Sequence, residues 1–177
     1  MSANLHLPEL IVCGRVHAAQ ILRSAEGAGL RYIVSINNPA TEQPPDGFAE
    51  HSARKLVLHF YDVERSTTLE GLGEVSASQE HLERLIAFCR GVDGPTLIHC
   101  SMGFSRSTAA AYVLLCIATG RGHEVAALEH LCLTVKRRIA PNRRVVWLAD
   151  DLLHRGGAMK AAHRARFADR FEGEPEL

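Results

Sequence analysis

The chain has 177 residues, of which 46% are apolar and 23% charged, with a formal net charge of zero. This length fits one domain with a single core, and the neutral charge balance gives no reason to expect nucleic acid or an anionic membrane as a partner. The N-terminus lacks a basic region followed by a long apolar run, and no segment is long and apolar enough to cross a bilayer. We therefore expect a cytoplasmic protein.

Short apolar runs alternate with helical periods along the chain. The apolar runs rich in β-branched residues predict strands at 10–13, 32–36, 55–62 and 96–99. Apolar residues at helical spacing predict helices at 16–28, from 79 to about 90, at 107–120 and 123–136, and from about 141 to 156. The alternation predicts an α/β fold, with a central, mostly parallel sheet of four to five strands and helices on both faces.

The five cysteines show no metal-binding or disulfide pattern, because they are widely spaced and no CxxC pair occurs. We expect free thiols and no metal site. Four of them lie inside apolar runs and are predicted to be small core residues: Cys13, Cys89, Cys116 and Cys132. Cys100 differs, because it follows a predicted strand and opens a loop.

That loop lies between a predicted buried strand and the 107–120 segment, which is apolar nearly all round. At the carboxyl end of a strand, a loop that leads into a helix points its N–H groups and the helix dipole at one place, which forms an anion site. Gly103 lets the backbone curl tightly, and Arg106 supplies a planar fork that matches two phosphate oxygens. The predicted phosphate-binding residues are Ser101, Met102, Gly103, Phe104, Ser105 and Arg106.

Cys100 is the predicted nucleophile of this loop. The positive field that would hold phosphate also favours a thiolate over a thiol. A thiolate beneath a bound phosphate attacks in line. Ser107 can donate a hydrogen bond to the sulfur and stabilise the thiolate when it leaves.

The run HCSMGFSRS resembles the HC-x5-R-S motif of the protein-tyrosine phosphatase superfamily. It is most similar to the compact dual-specificity branch, where alanine is common at the position of Met102. The segments FYDVE and PNRRVVWLADDLL and the long alanine-rich helix are similar to small bacterial tyrosine-phosphatase-like proteins. The resemblance implies a cysteine-dependent phosphomonoester hydrolase that works through a phosphocysteine intermediate, without metal or other cofactor. Its implied substrates are phosphotyrosine or phosphoserine/threonine in proteins, or a small phosphomonoester. In that family the histidine before the cysteine, here His99, helps to order the loop.

The resemblance also implies a domain division and a general acid. Residues 1–156 would form the catalytic domain, and we expect 157–177 to be a charged tail that frays. The family uses an aspartate before the cysteine as proton donor, and Asp62 is the first candidate because it closes a predicted strand at the rim of the loop. Glu64 and Asp46 are the alternatives. Asp93 is expected at the opposite end of the sheet, and Asn142 as a helix cap.

Two other functions stay open at this point. The chain could be a phosphate-binding pseudophosphatase that acts as an interaction module. It could also be an arsenate-reductase-like thiol enzyme, for which Cys13 or Cys89 would have to approach Cys100 in space. In the superfamily that the motif resembles, phosphoinositide phosphatases often carry basic residues inside this loop. The loop of this chain contains no lysine, so the resemblance does not favour inositol lipids as substrates.

Overall fold

The computed structural model describes residues 7–71 and 73–168. Its strands are β1 Leu10–Gly14, β2 Tyr32–Asn37, β3 Arg54–His59, β4 Thr68–Leu69, β5 Gly73–Glu74 and β6 Thr96–Cys100. Its α-helices are α1 Arg15–Leu22, α2 Gln79–Cys89, α3 Arg106–Thr119, α4 Glu124–Thr134, α5 Arg143–Leu152 and α6 Ala158–Phe167. Among these helices, none combines the length and the apolar character that crossing a bilayer requires.

The main sheet has four parallel strands in the order β1-β6-β2-β3. Strand β6 is therefore interior, with Gly14 of β1 opposite Cys100 and Ser35 of β2 opposite His99. Strands β4 and β5 form a separate short antiparallel hairpin between β3 and α2, where the sequence predicts no strand. The predicted α/β fold with a parallel sheet is confirmed, and Cys100 lies at the carboxyl end of an interior strand.

Helices cover both faces of this sheet. On one face α1 buries Ala18, Ile21 and Leu22 against Ile33 and Leu97. On the other face α3 lies at the centre of the larger core and contacts β6, α2, α4 and α5. Its residues from Ala109 to Cys116 are all buried, as the apolar sequence of this helix predicts. A helix enclosed in this way gives the loop that precedes it a rigid support.

Two predicted elements end earlier than expected. The helix predicted at 16–28 stops at Leu22, and a 3-10 turn follows at Ala25–Gly29. The turn packs so closely that a Cβ on Gly27 would lie 2.2 Å from the carbonyl oxygen of Ile21. The strand predicted at 55–62 ends at His59. Asp62 therefore lies in the loop beyond the strand and does not close it.

The expectation of a fraying tail from residue 157 is wrong for residues 158–167, which form α6. The carboxylate of Asp150 accepts hydrogen bonds from the backbone N–H groups of Gly157, at 2.7 Å, and Met159, at 2.8 Å, and so holds the start of the helix. Met159, Ala162 and Phe167 are buried in the larger core. Helix α6 therefore packs with the preceding residues, while 169–177 lie outside the described residues.

Candidate active site

Cys100 lies at the base of the loop between β6 and α3, and only 1% of its surface is exposed. Its Sγ lies 3.3 Å from the hydroxyl of Ser107, in the first turn of α3. The backbone N–H of Gly103 donates to the same sulfur at 3.2 Å. The sulfur therefore has two donor groups beside it, which is the environment that stabilises a thiolate.

The carbonyl groups of the loop are held by donors that lie outside it. The Ser101 carbonyl accepts from the Arg15 N–H at 3.1 Å. The Gly103 carbonyl accepts from the Arg137 guanidinium at 2.7 Å. The carbonyl of residue 104 accepts from the N–H of residue 140 at 3.0 Å, and the carbonyl of residue 105 accepts from the N–H of residue 142 at 3.2 Å. Because a trans peptide points its C=O and N–H in opposite directions, these anchors turn the next N–H groups toward the inside of the loop.

Gly103 is the one loop position where the backbone requires glycine. Its φ is +71°, in the left-handed region that side chains disfavour. A Cβ there would lie 2.2 Å from the carbonyl carbon of Cys13 and 2.3 Å from the amide nitrogen of Gly14. The loop therefore lies directly against the end of β1. A residue with a side chain would fit at position 103 only if the loop or β1 moved.

Arg106 is 3% exposed and is held by three acceptors. Its Nη1 donates to the side-chain oxygen of Asn38 and to the carbonyl of Phe60, both at 2.7 Å, and its Nη2 donates to the Ser101 hydroxyl at 2.7 Å. Its Nε has no hydrogen-bond partner among the described residues. A buried N–H of a charged group that lacks a partner is costly, so this donor is suited to a bound anion.

Asp62 lies in the segment after β3 and contacts the Cys100–Arg106 loop at Ser105. Its Oδ1 accepts from the Ser105 hydroxyl at 2.6 Å and from the side-chain amide of Asn142 at 2.8 Å. Asn142 also caps α5, where its own side-chain oxygen accepts from the N–H of Val145 at 3.1 Å. The expected cap is confirmed, and the same residue additionally links Asp62 to the start of α5.

The other acidic candidates lie elsewhere. Asp46 forms an exposed ion pair with Arg23 at 3.1 Å, away from the loop. Glu64 lies 3.7 Å from the side chain of Arg143 and accepts from the N–H of the same residue. Asp93 pairs with Arg31 and Tyr32 at the start of the sheet, as expected. Of the acidic residues considered from the sequence, Asp62 is the one that contacts the loop.

His99 is fully buried, and its Nε2 lies 2.8 Å from the hydroxyl of Ser35 on the neighbouring strand. Its Nδ1 lies 3.5 Å from the carbonyl oxygen of Cys100. Burial lowers the pKa of His99 from its ordinary value of 6.5 to about 4. The imidazole is therefore neutral at physiological pH, and it links β6 to β2 directly behind Cys100.

The buried imidazole predicts a stability change in mild acid. The pKa is lower in the folded than in the unfolded state, so the unfolded chain binds more protons between about pH 6.5 and pH 4, and stability falls as the pH falls through that window. We expect the unfolding free energy of the wild type to fall by about 2 kcal/mol more than that of His99→Gln between pH 7 and pH 5. The difference arises because the variant has no imidazole at this position. Urea unfolding at both pH values measures this difference, and equal losses would contradict it.

Cys13 and Cys89 are both poorly suited to react together with Cys100. Cys13 lies opposite His99 in the sheet register, so its side chain and that of Cys100 point to different faces. Burial raises the pKa of both Cys13 and Cys89 to about 12. Both remain thiols at neutral pH and are poor attacking groups. All five cysteines are free.

Some residues at the site were not found from the sequence. Among them, Asn38 and Glu42 belong to the segment after β2, where the sequence predicts no site residue, and both contact residues of the Cys100–Arg106 loop. Their positions follow from the pairing of β2 with β6, which no local pattern shows. Met102, by contrast, is 76% exposed and lies on the solvent side of the loop.

The scan against protein-family models found no match for the chain, and neither did the search of curated proteins. Similar solved structures exist. Human DUSP28 is 20% identical with a TM-score of 0.57, over 92% of this chain and 96% of its own. DUSP15 is 23% identical with a TM-score of 0.55, over 96% of both chains. PTPMT1, solved in complex with PI(5)P, is 14% identical with a TM-score of 0.57, over 86% of this chain and 94% of its own. The chain therefore has the fold of the dual-specificity phosphatases, as the motif predicts.

Proposed function

We propose that this protein is a cysteine-dependent phosphomonoester hydrolase, with Cys100 as the nucleophile and Arg106 as the phosphate clamp. The observation that supports this proposal most strongly is the buried Nε of Arg106, which lacks a partner among the described residues. It lies in a loop whose carbonyls are tied to outside donors. Such a site offers N–H groups to an anion without any rearrangement, which is the arrangement that stabilises phosphoryl oxygens.

The first step is attack by the Cys100 thiolate on phosphorus. A sulfur–phosphorus bond forms while the bond from phosphorus to the leaving oxygen breaks, and Asp62 gives its proton to that oxygen. Both hydrogen bonds to Asp62 fall on Oδ1, so Oδ2 is the oxygen left to carry the proton. Arg106 and the loop N–H groups hold the three other phosphoryl oxygens.

The second step hydrolyses the phosphocysteine. Asp62, now a carboxylate, takes a proton from water, and the water oxygen attacks phosphorus. The sulfur–phosphorus bond breaks, inorganic phosphate leaves, and the Cys100 thiolate is restored. Ser107, whose hydroxyl lies 3.3 Å from Sγ, donates to the departing sulfur.

The substrates we propose are phosphotyrosine or phosphoserine/threonine side chains in proteins. The fold is that of dual-specificity phosphatases. The variable residues of the loop are Ser101, Met102, Phe104 and Ser105, none of them basic. The PTPMT1 structure holds PI(5)P, whose inositol headgroup carries a phosphate. Because the loop of this chain has no lysine to add positive charge for a lipid headgroup, we favour a phosphoryl group on a protein side chain.

The two other functions considered from the sequence receive less support. An arsenate reductase of this type needs a second reactive thiol beside the first, but Cys13 faces away from Cys100 and has a raised pKa. A pseudophosphatase keeps the phosphate-binding loop but lacks residues that the reaction needs. In this chain Cys100, Arg106 and Asp62 are all present, and each belongs to the loop or contacts it.

The test of the proposed function is hydrolysis of para-nitrophenyl phosphate by the purified protein, with and without a metal chelator. We expect turnover that the chelator does not affect. Absence of turnover while vanadate still binds would refute the hydrolase and favour the pseudophosphatase. Thiol-dependent reduction of arsenate, assayed in parallel, would favour the reductase.

Asp62→Asn tests the general acid. We expect kcat to fall about 10²-fold with an alkyl phosphate, because the leaving oxygen must depart without a proton. The loss should be smaller with para-nitrophenyl phosphate, whose leaving group is more acidic. A pH profile of kcat provides the direct readout, since the decline on the alkaline side should disappear in the variant. Asp46→Asn is the matched control, and equal losses in both variants would contradict the assignment.

A further inference from the structure

Helix α6 contacts the segment before α5 through the imidazole of His163. The Nε2 of His163 lies 2.7 Å from the carbonyl oxygen of Pro141, and none of the residue's surface is exposed. A carbonyl oxygen can only accept a hydrogen bond, so Nε2 carries the hydrogen and donates it. The last described helix of the chain thus supplies a buried donor to the residue directly before Asn142.

Two aromatic side chains hold this imidazole in place. The ring of Trp147 on α5 meets it edge-on, with centroids 5.4 Å apart and ring planes at 88°. The centroid of the Phe167 ring lies 5.1 Å from it on α6. Edge-to-face ring contacts of this kind are favourable beyond the area they bury. The packing of α6 against α5 therefore sets where Nε2 lies.

The peptide group between Pro141 and Asn142 is bonded at both of its polar ends. Its carbonyl accepts from His163, and its N–H donates to the carbonyl of Ser105 at 3.2 Å. The two bonds point in opposite directions because the peptide is trans. Such a peptide cannot rotate without breaking one of the bonds. His163 therefore restrains, from the side of α6, a peptide that is bonded to the Cys100–Arg106 loop on its other side.

The same peptide supports the proposed general acid. The side-chain amide of Asn142 donates to Oδ1 of Asp62 at 2.8 Å, and the Ser105 hydroxyl donates to the same oxygen at 2.6 Å. The two donor residues are joined to each other by the bond from the Asn142 N–H to the Ser105 carbonyl. A rotation of the 141–142 peptide would move one donor relative to the other, and Asp62 would lose its fixed position.

We propose that His163 is a positioning residue, which fixes the 141–142 peptide from α6 and thereby holds Asp62 where it can protonate the leaving oxygen. This inference rests on the proposed phosphatase function and adds a residue from outside the loop to the same site. His163 does not touch the substrate in this role. It acts through Asn142 and Ser105.

The test uses two substitutions in the full chain that separate the hydrogen bond from the ring packing. His163→Phe keeps a ring between Trp147 and Phe167 but has no donor for the Pro141 carbonyl, whereas His163→Gln keeps a donor and loses the ring. We expect His163→Phe to lower kcat about tenfold with O-phosphoserine, an alkyl phosphate, as the loss of one hydrogen bond implies. The loss should be smaller with para-nitrophenyl phosphate, and His163→Gln should recover most of it.

The controls distinguish positioning of Asp62 from a general loosening of the fold. Met159→Ala weakens the packing of the same helix but keeps the imidazole, so the ratio of kcat between the two substrates should stay that of the wild type. Vanadate affinity, measured by calorimetry, should be within about twofold of the wild type in His163→Phe, because Arg106 and the loop N–H groups are unchanged. In an Asp62→Asn background, His163→Phe should cause little further loss of kcat.

Three kinetic results would overturn the proposal: a wild-type substrate ratio in His163→Phe, equal losses in the Phe and Gln variants, or a full additional loss in the Asp62→Asn background. Hydrogen exchange of the Asn142 amide, followed by NMR, does not depend on turnover. It should be about tenfold faster in His163→Phe than in His163→Gln, relative to the amides of β6. A wild type without turnover would refute the phosphatase, and unchanged exchange at Asn142 would refute the positioning role.

Discussion

Cys100→Ser should lower the turnover of para-nitrophenyl phosphate by about 10⁴-fold or more, since loss of a covalent nucleophile removes the whole first step. A serine hydroxyl in this position stays protonated, because the donors beside Sγ stabilise a thiolate and are far too weak to ionise an alcohol. The loop N–H groups and Arg106 remain unchanged in the variant. Vanadate or phosphate should therefore still bind with an affinity close to that of the wild type.

The measurement compares initial rates and calorimetric binding for the wild type and the serine variant. Cys132→Ser is a suitable control, because Cys132 is a half-buried thiol on α4, away from the loop. Turnover that survives in Cys100→Ser would show that another group attacks phosphorus. Loss of both turnover and binding, with an unchanged melting temperature, would show that the sulfur is needed to hold the anion.

Arg106→Lys should lower kcat/KM by about 10³-fold, the size of effect seen when donors to a developing oxyanion are lost. Lysine keeps the positive charge, but it cannot occupy the Asn38, Phe60 and Ser101 acceptors and also present an N–H to phosphate. The loss is therefore one of geometry. We expect kcat to fall and KM to rise, because the guanidinium contacts the phosphoryl group in both the ground state and the transition state.

Arg138→Lys is the control for this experiment, since Arg138 is an exposed arginine outside the Cys100–Arg106 loop. Thermal unfolding of both variants should accompany the kinetics, because Arg106 is buried and its neighbours lose hydrogen bonds in the lysine variant. A lysine variant with kcat/KM within a few-fold of the wild type would contradict the bidentate clamp.

The features that local sequence dictates could be predicted. The strands and helices follow from apolar spacing, and the loop from Cys100 to Arg106 follows from a strand, a glycine and an arginine in register before a helix. The alternation of elements also fixed the fold class, because parallel strands need helical connections. These predictions require no knowledge of which strand lies beside which.

The features that depend on strand order could not be predicted. Glu42 reaches Ser101 because β2 pairs with β6, and Asn142 reaches Asp62 because α5 begins beside the loop after β3. Helix α6 was missed for a related reason: its sequence is rich in arginine and lysine, and the apolar face formed by Met159, Ala162 and Phe167 becomes recognisable only against the core it covers. In each case the partner is distant in sequence.

The pairing of β1 with β6 has a consequence for how the protein folds. Leu10 lies beside Thr96 and Gly14 beside Cys100, so the chain must bring together segments separated by about half of its length before the loop can lie against β1. Such long-range parallel pairing is slow to form. We therefore expect the loop around Cys100 to reach its final form late, when the chain is nearly folded. An oxyanion that binds only this finished loop should slow unfolding and raise the midpoint of thermal denaturation.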